Sequence, residues 1–298
     1  MTGVLPLPAA PASTVPASSA VAHVHAGGEV SFALVGWLLP VAVVVALVMA
    51  HAVLVTGRRR ATGRRWSVGR TVAWVGGVLL LAAAVSPPVT AWAHAGARGH
   101  MVQHLLLGMY APVGLVLAAP VTLVLGASTP VNRHRLAVVL GSAPVRVLSH
   151  PVVAGGIDVG GLYVLYLTGL YAASMGTPWV HVVVNLHFLL AGTLFTWAVV
   201  GPDPAPHRPG VRIRALALVL AAGAHAVLAK ILYAHASSLP TGAGHDATEM
   251  QQAATWMYYG GDVAELALAV ALFAAWYRAA GRVRRRVAPA PTGAPLAP

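Results

Sequence analysis

Cysteine occurs nowhere in the chain, which excludes a disulfide framework and any thiolate metal ligand. A bound metal would have to use histidine, methionine, carboxylate or backbone, and the sequence carries 14 His and 7 Met. Charge is scarce as well. Asp, Glu, Lys and Arg make up 9% of the residues, against roughly 25% in a soluble domain, and so few charges cannot clothe a water-facing surface. Only 7 residues are acidic, which leaves a net charge of +12. A nucleic-acid binder gathers its Lys and Arg on one polar face, whereas here they sit in short connections between apolar runs, so no nucleic-acid partner is expected. Strand-type alternation and solenoid-length repeats are missing. No nucleophile with an adjacent base, phosphate loop or complete catalytic-metal motif stands out, so the chain is not expected to be an enzyme.

What is present is apolar sequence, 58% of the 298 residues. A membrane span needs about 20 predominantly apolar residues, which rise through roughly 30 Å of hydrocarbon. Seven runs qualify: Phe32 to Val55, Thr71 to Trp92, Met101 to Leu125, Val152 to Ala173, Val180 to Val200, Ile213 to His235 and Thr255 to Tyr277. The expected fold is all-α, a polytopic membrane protein built as a seven-helix transmembrane bundle with lipid as its solvent. Residues 29–280 hold the bundle. Residues 1–28, rich in Ala, Pro, Ser and Val, lack the positive n-region and continuous apolar core of a signal peptide and read as a disordered tail. Residues 281–298 are basic, then Ala/Pro-rich.

Basic residues stay on the cytoplasmic side of a membrane. Arg58, Arg59, Arg60, Arg64, Arg65 and Arg70 lie in the first connection; Arg133, Arg135 and Arg146 lie in the third, and Arg208, Arg212 and Arg214 in or beside the fifth. Arg278, Arg282, Arg284, Arg285 and Arg286 follow the last span, so that only Arg98 and Lys230 of the 19 basic residues fall elsewhere. This asymmetry predicts an amino terminus outside the cytoplasm and a carboxyl terminus inside it.

Ionisable residues within spans are costly and are by default candidates for function. With the topology above, most lie in the outer half. His100 opens the third span and His104 follows one turn later, a spacing that puts both imidazoles on one helix face. His181 and His187 lie in the fifth span, and His225, Lys230 and His235 in the sixth. Asp262 and Glu265 share a face of the seventh. Depth along the helices predicts a bundle interior where Lys230 pairs with Asp262 or Glu265 and the imidazoles converge into a metal or haem site. Met101, Met109, Met175, Met250 and Met257 add thioethers nearby, and His with Met but without Cys suits Cu(I) better than a hard cation. Asp158, in the inner part of the fourth span, is either a local partner or part of a proton path. His23 and His25 in the outer tail form a loose metal-capturing pair. Pro112 and Pro120 predict kinks in the third span, because each removes a backbone donor and frees the carbonyl four residues earlier.

The run His100-Met101-Val102-Gln103-His104-Leu105-Leu106-Leu107, followed by Ala111-Pro112 and Ala119-Pro120, resembles the signature of CtaG-type cytochrome c oxidase assembly factors. Two further stretches agree with it: Gly201-Pro202-Asp203-Pro204-Ala205-Pro206, and the segment from Glu249 through Gln251-Gln252, Trp256-Met257 and Gly260-Gly261. The resemblance implies a factor of the bacterial cytoplasmic (inner) membrane that helps insert copper into the catalytic subunit of cytochrome c oxidase; an extracytoplasmic copper carrier is a further candidate partner. Carried over residue by residue, it covers His100, Met101, His104, Gln251, Gln252 and Met257. One position departs from the family pattern: an acidic residue is expected directly before the paired glutamines, where this chain has Met250, with Glu249 one residue earlier.

Two other functions fit the same residues. A haem-binding electron-transfer protein would use imidazoles from different spans as axial ligands and would absorb strongly in the visible. A copper transporter would need a polar path through the whole membrane, and Asp158 alone marks the inner half.

Overall fold

The computed structural model describes residues 26–205, 207–244 and 246–287, so the tail histidines His23 and His25 and residues 288–298 lie outside it. Helices dominate, and no strand occurs among the described residues. Helix α1 spans Ala26–Thr62, α2 Val68–Ala84 and α3 Pro87–Ala95. The third apolar run comprises α4 (Ala97–His104), a π-helical turn (Leu105–Tyr110), α5 (Ala111–Leu117) and α6 (Pro120–Ala127). The short helices α7 (Pro130–Leu140) and α8 (Ala143–Leu148) lead to α9 (Pro151–Leu167) and α10 (Leu170–Gly176). The bundle closes with α11 (Pro178–Val200), α12 (Val211–Ala234) and α13 (Ala247–Val287).

By length and composition, five of these segments can cross a membrane, or up to seven if α2–α3 and α9–α10 each count as one bent span. The bends have local causes. Between α2 and α3 the axis turns by 49° at Ser86-Pro87-Pro88, where two successive residues lack an amide donor. Between α9 and α10 it turns by 78°, because Thr168 is extended (φ −122°, ψ 179°) and ends the helix. The exterior is apolar, with Leu38, Val53, Val72, Leu186, Val219 and Leu266 among the exposed side chains, as expected of a surface solvated by hydrocarbon.

Small residues let the helices approach closely. Gly77 on α2 and Gly114 on α5 face each other, and a Cβ on Gly114 would come within 2.7 Å of the Gly77 backbone. Gly192 on α11 lies directly against the carbonyl of Gly108, with no room for a side chain between them. Ahead of Pro112, the Ala111 amide donates to Leu106 O, five residues back. The predicted kink is therefore a π turn, a form that recurs at functional sites.

At Pro120 the run breaks outright. Ala119 is left-handed (φ 57°, ψ 56°), a conformation that costs a non-glycine residue about 1–2 kcal/mol. Asp203 supports the break. Its buried carboxylate accepts from the amides of Val121 (3.1 Å) and Thr122 (2.6 Å) and from the Thr122 hydroxyl (2.6 Å), so it caps the start of α6. Arg208 donates to the carbonyls of Gly201 and Asp203, and Arg214 to that of Val199. Asp203 and Arg208 thus form a staple that holds the end of α11 against the start of α6.

Candidate functional site, two histidine pairs within the bundle

Four imidazoles from three helices lie in the bundle interior, divided into two pairs. The first is at the end of the bundle where α3 meets α4. His100 on α4 and His181 on α11 are buried, 1% and 4% exposed, with ring centroids 6.2 Å apart. Neither nitrogen of either ring has a hydrogen-bond partner. His94 on α3 packs against His181 at 4.3 Å with its ring tilted by 41°; it is exposed, with Nδ1 2.8 Å from Thr90 O. The three rings form a line from surface to interior. Tyr171 packs edge-on to His100 at 4.8 Å, and the Tyr166 hydroxyl donates to Met101 Sδ at 3.9 Å.

His104 follows His100 by one turn but faces other neighbours. It packs against Phe188 at 4.6 Å and lies 6.3 Å from His225 on α12. Both are 3% exposed. His225 Nδ1 is 3.5 Å from Glu265 Oε1 on α13, while its Nε2 and both nitrogens of His104 lack partners. A cavity of about 30 Å³ lies here, and its lining includes His104, Met109, Asp158, Thr196, His225 and Glu265.

The division follows from the helices that face α4, with His181 of α11 opposite His100 and His225 of α12 opposite His104. Gly96 lies close against the Glu249 carboxylate, so that a side chain there would have to displace it. Arg98 pairs with Glu249 at 3.6 Å, and its Nη1 donates to Gln252 at 3.3 Å. The start of α13 therefore pins the start of α4, which sets the angle at which His100 and His104 project. Glu249 makes this contact; Met250, the departure from the family pattern, is fully buried in the apolar core.

Several expected partners are not brought together. Lys230 does not pair with Asp262 or Glu265. It is exposed, with Nζ 5.3 Å from the Tyr258 ring centroid, Asp262 is exposed, and Glu265 pairs with His225 instead. Lys230 and His225 are five residues apart, about 140° around a helix of 3.6 residues per turn, so a helix that turns His225 inward must turn Lys230 outward. His187 does not join the imidazoles; its Nε2 abuts Gly161, away from both pairs. His235 is exposed at the end of α12, with Nδ1 3.1 Å from Ile231 O. Met257 is fully buried among apolar side chains. Among the described residues no three His, Asp or Glu groups are placed so as to hold a metal ion together, so a metal would have to bind between paired imidazoles, with thioether help.

His94 and Glu265's role as partner of His225 were not expected from the sequence. The cue for His94 is Pro87-Pro88, which breaks the second span and turns its last helix toward the third. The cue for the His225–Glu265 contact is that each would otherwise be an isolated ionisable group within a span.

Residues 50–279 match the family described as cytochrome c oxidase caa3 assembly factor, Caa3_CtaG. The chain is also similar to the uncharacterized protein ML1998 of Mycobacterium leprae, with 39% identity over 158 residues, 51% of this chain and 24% of the relative. The uncharacterized protein Mb0105 of Mycobacterium bovis shares 38% over 158 residues, with the same coverage. The matched part thus spans about a quarter of the length of these relatives. No solved structure matches. The match over 50–279 carries both histidine pairs, the Asp203 staple and the Glu249 contact, and on it the chain belongs to the cytochrome c oxidase caa3 assembly factor family.

Proposed function

We propose that the chain accepts Cu(I) between His100 and His181 and assists its delivery to the catalytic subunit of cytochrome c oxidase, acting as an assembly factor and not as an enzyme. In this reading the bundle spans a bacterial cytoplasmic membrane seven times, with both bent pairs counted as spans. The arginine-rich connections face the cytoplasm and the His94 end faces outward, where an extracytoplasmic carrier presents copper.

The observation that carries the reading is the state of the two rings. Both nitrogens of His100 and of His181 are buried without hydrogen bonds, and each unsatisfied buried polar group costs about 1–3 kcal/mol. A ligand that takes a lone pair from each ring offsets that cost. Two imidazoles on opposite sides of one ion, with metal–nitrogen distances of about 2.0 Å, have centroids about 6 Å apart; the separation here is 6.2 Å. Met101 adds a neighbouring thioether, and nitrogen with thioether is a donor set suited to Cu(I). His94 is placed to meet copper first, because it is the exposed member of the line. His181 comes next and His100 is deepest.

The full chain, purified in detergent, loaded with Cu(I) under reducing conditions and washed, is expected to retain copper and to stay nearly colourless, measured by elemental analysis and visible absorption. A strong visible band that shifts on reduction, without retained copper, would establish haem in its place.

A further inference from the structure

We propose that the cavity between His104 and His225 is a second Cu(I) site, deeper in the bundle than the His100–His181 pair, with Glu265 as the residue that positions His225. The inference rests on the copper reading above and adds a site to it. Metal-ligating histidines characteristically give their other ring nitrogen to a carboxylate, which fixes the tautomer and the ring orientation. His225 has a carboxylate beside it at ion-pair distance, poised to take that role when a metal binds. Nδ1 lies 3.5 Å from Glu265 Oε1, which leaves Nε2 free, and Nε2 is buried with no partner.

His104 supplies the opposing ligand. Both its nitrogens are buried and unpartnered, and its ring centroid is 6.3 Å from that of His225, nearly the separation of the outer pair. The cavity of about 30 Å³ that both rings line exceeds the roughly 10–15 Å³ an ordered water needs, so it accommodates a small ion. Met109 is among the residues that line it, and a thioether is a soft donor. Charge balance agrees. A monovalent cation inside hydrocarbon is costly unless countered, and the cavity is lined by two carboxylate residues, Asp158 and Glu265, and by no Lys or Arg. His100 and His104 are one turn apart on α4, about 6 Å along the axis, so the two sites lie in succession down the bundle.

Copper per chain in the loaded, washed full chain tests this. The natural protein is expected to hold about two copper ions, and His225→Leu and His100→Leu about one each, since each removes a ligand from a different two-imidazole site. Gel filtration confirms that each variant is folded. Glu265→Gln keeps the side-chain volume and is expected to weaken the deeper site by about tenfold while leaving the outer one unchanged, the usual effect of losing a ligand's supporting partner. One copper in the natural protein, unchanged in His225→Leu, would overturn the second site and leave the first standing. No copper in the natural protein would overturn both, and two copper ions in His225→Leu would remove His225 from the assignment. A cavity that holds only water gives the first of these results.

Discussion

His100→Leu is expected to leave the chain as stable as the natural protein, or more stable, while reducing the copper retained at the outer site by at least about tenfold, or 1.4 kcal/mol of binding free energy. Both effects follow from one observation. The His100 ring is 1% exposed and makes no hydrogen bond through either nitrogen, so the folded chain carries an unsatisfied polar group whose burial costs about 1–3 kcal/mol. Leucine removes that cost. Its neighbours would be Tyr166 and Tyr171, whose rings contact His100, and the apolar cluster containing Met101, Leu228 and Met257. A histidine kept for packing alone would behave in the opposite way, losing stability when removed. Thermal unfolding in detergent, run beside the copper measurement, separates the cases. A lowered unfolding midpoint with copper retention unchanged would contradict this account.

Gly192→Val is expected to abolish most of the folded yield. A Cβ at this position would overlap the carbonyl of Gly108, and the conflict is with backbone, which cannot rotate away. Overpacking of a tight core costs about 1–3 kcal/mol and sometimes more, and here the displaced segment is the π turn between His104 and Pro112. The variant is therefore expected to elute from gel filtration mainly as aggregate. Gly223→Ala serves as the control: a Cβ there meets nothing within 4 Å, and the folded yield should match that of the natural protein. Equal yields for the two variants would show that the Gly108–Gly192 approach does not constrain the fold.

Helical class and the approximate spans were legible because apolar run length is a strong signal that needs no tertiary information. The bends at Ser86-Pro87-Pro88 and at Thr168 were not marked as breaks, although the second lies inside an uninterrupted apolar run and depends on one residue's extended backbone. For the polar residues, counting along the helices measures depth but not azimuth. That is why Lys230, Asp262 and His187 were expected beside His104, whereas Lys230 and Asp262 face outward and His187 packs against Gly161. It is also why His100 and His104, one turn apart on one face, were expected at a single site. The faces presented by α11 and α12 divide them, with His181 opposite one and His225 opposite the other. The Gly201-to-Pro206 stretch was legible as a motif without a role; its role depends on Asp203 reaching the amides of Val121 and Thr122, about 80 residues earlier in the chain, a contact that loop residues commonly make to unpaired helix starts.

The proposed passage of copper through this chain to the oxidase can be read from the copper content of the oxidase catalytic subunit, isolated from cells in which the only copy of this chain carries His100→Leu. The account predicts a subunit present in the membrane but holding at most about a tenth of the copper found with the natural chain, the same factor expected for loss of the site. A subunit with its full copper content in those cells would contradict it.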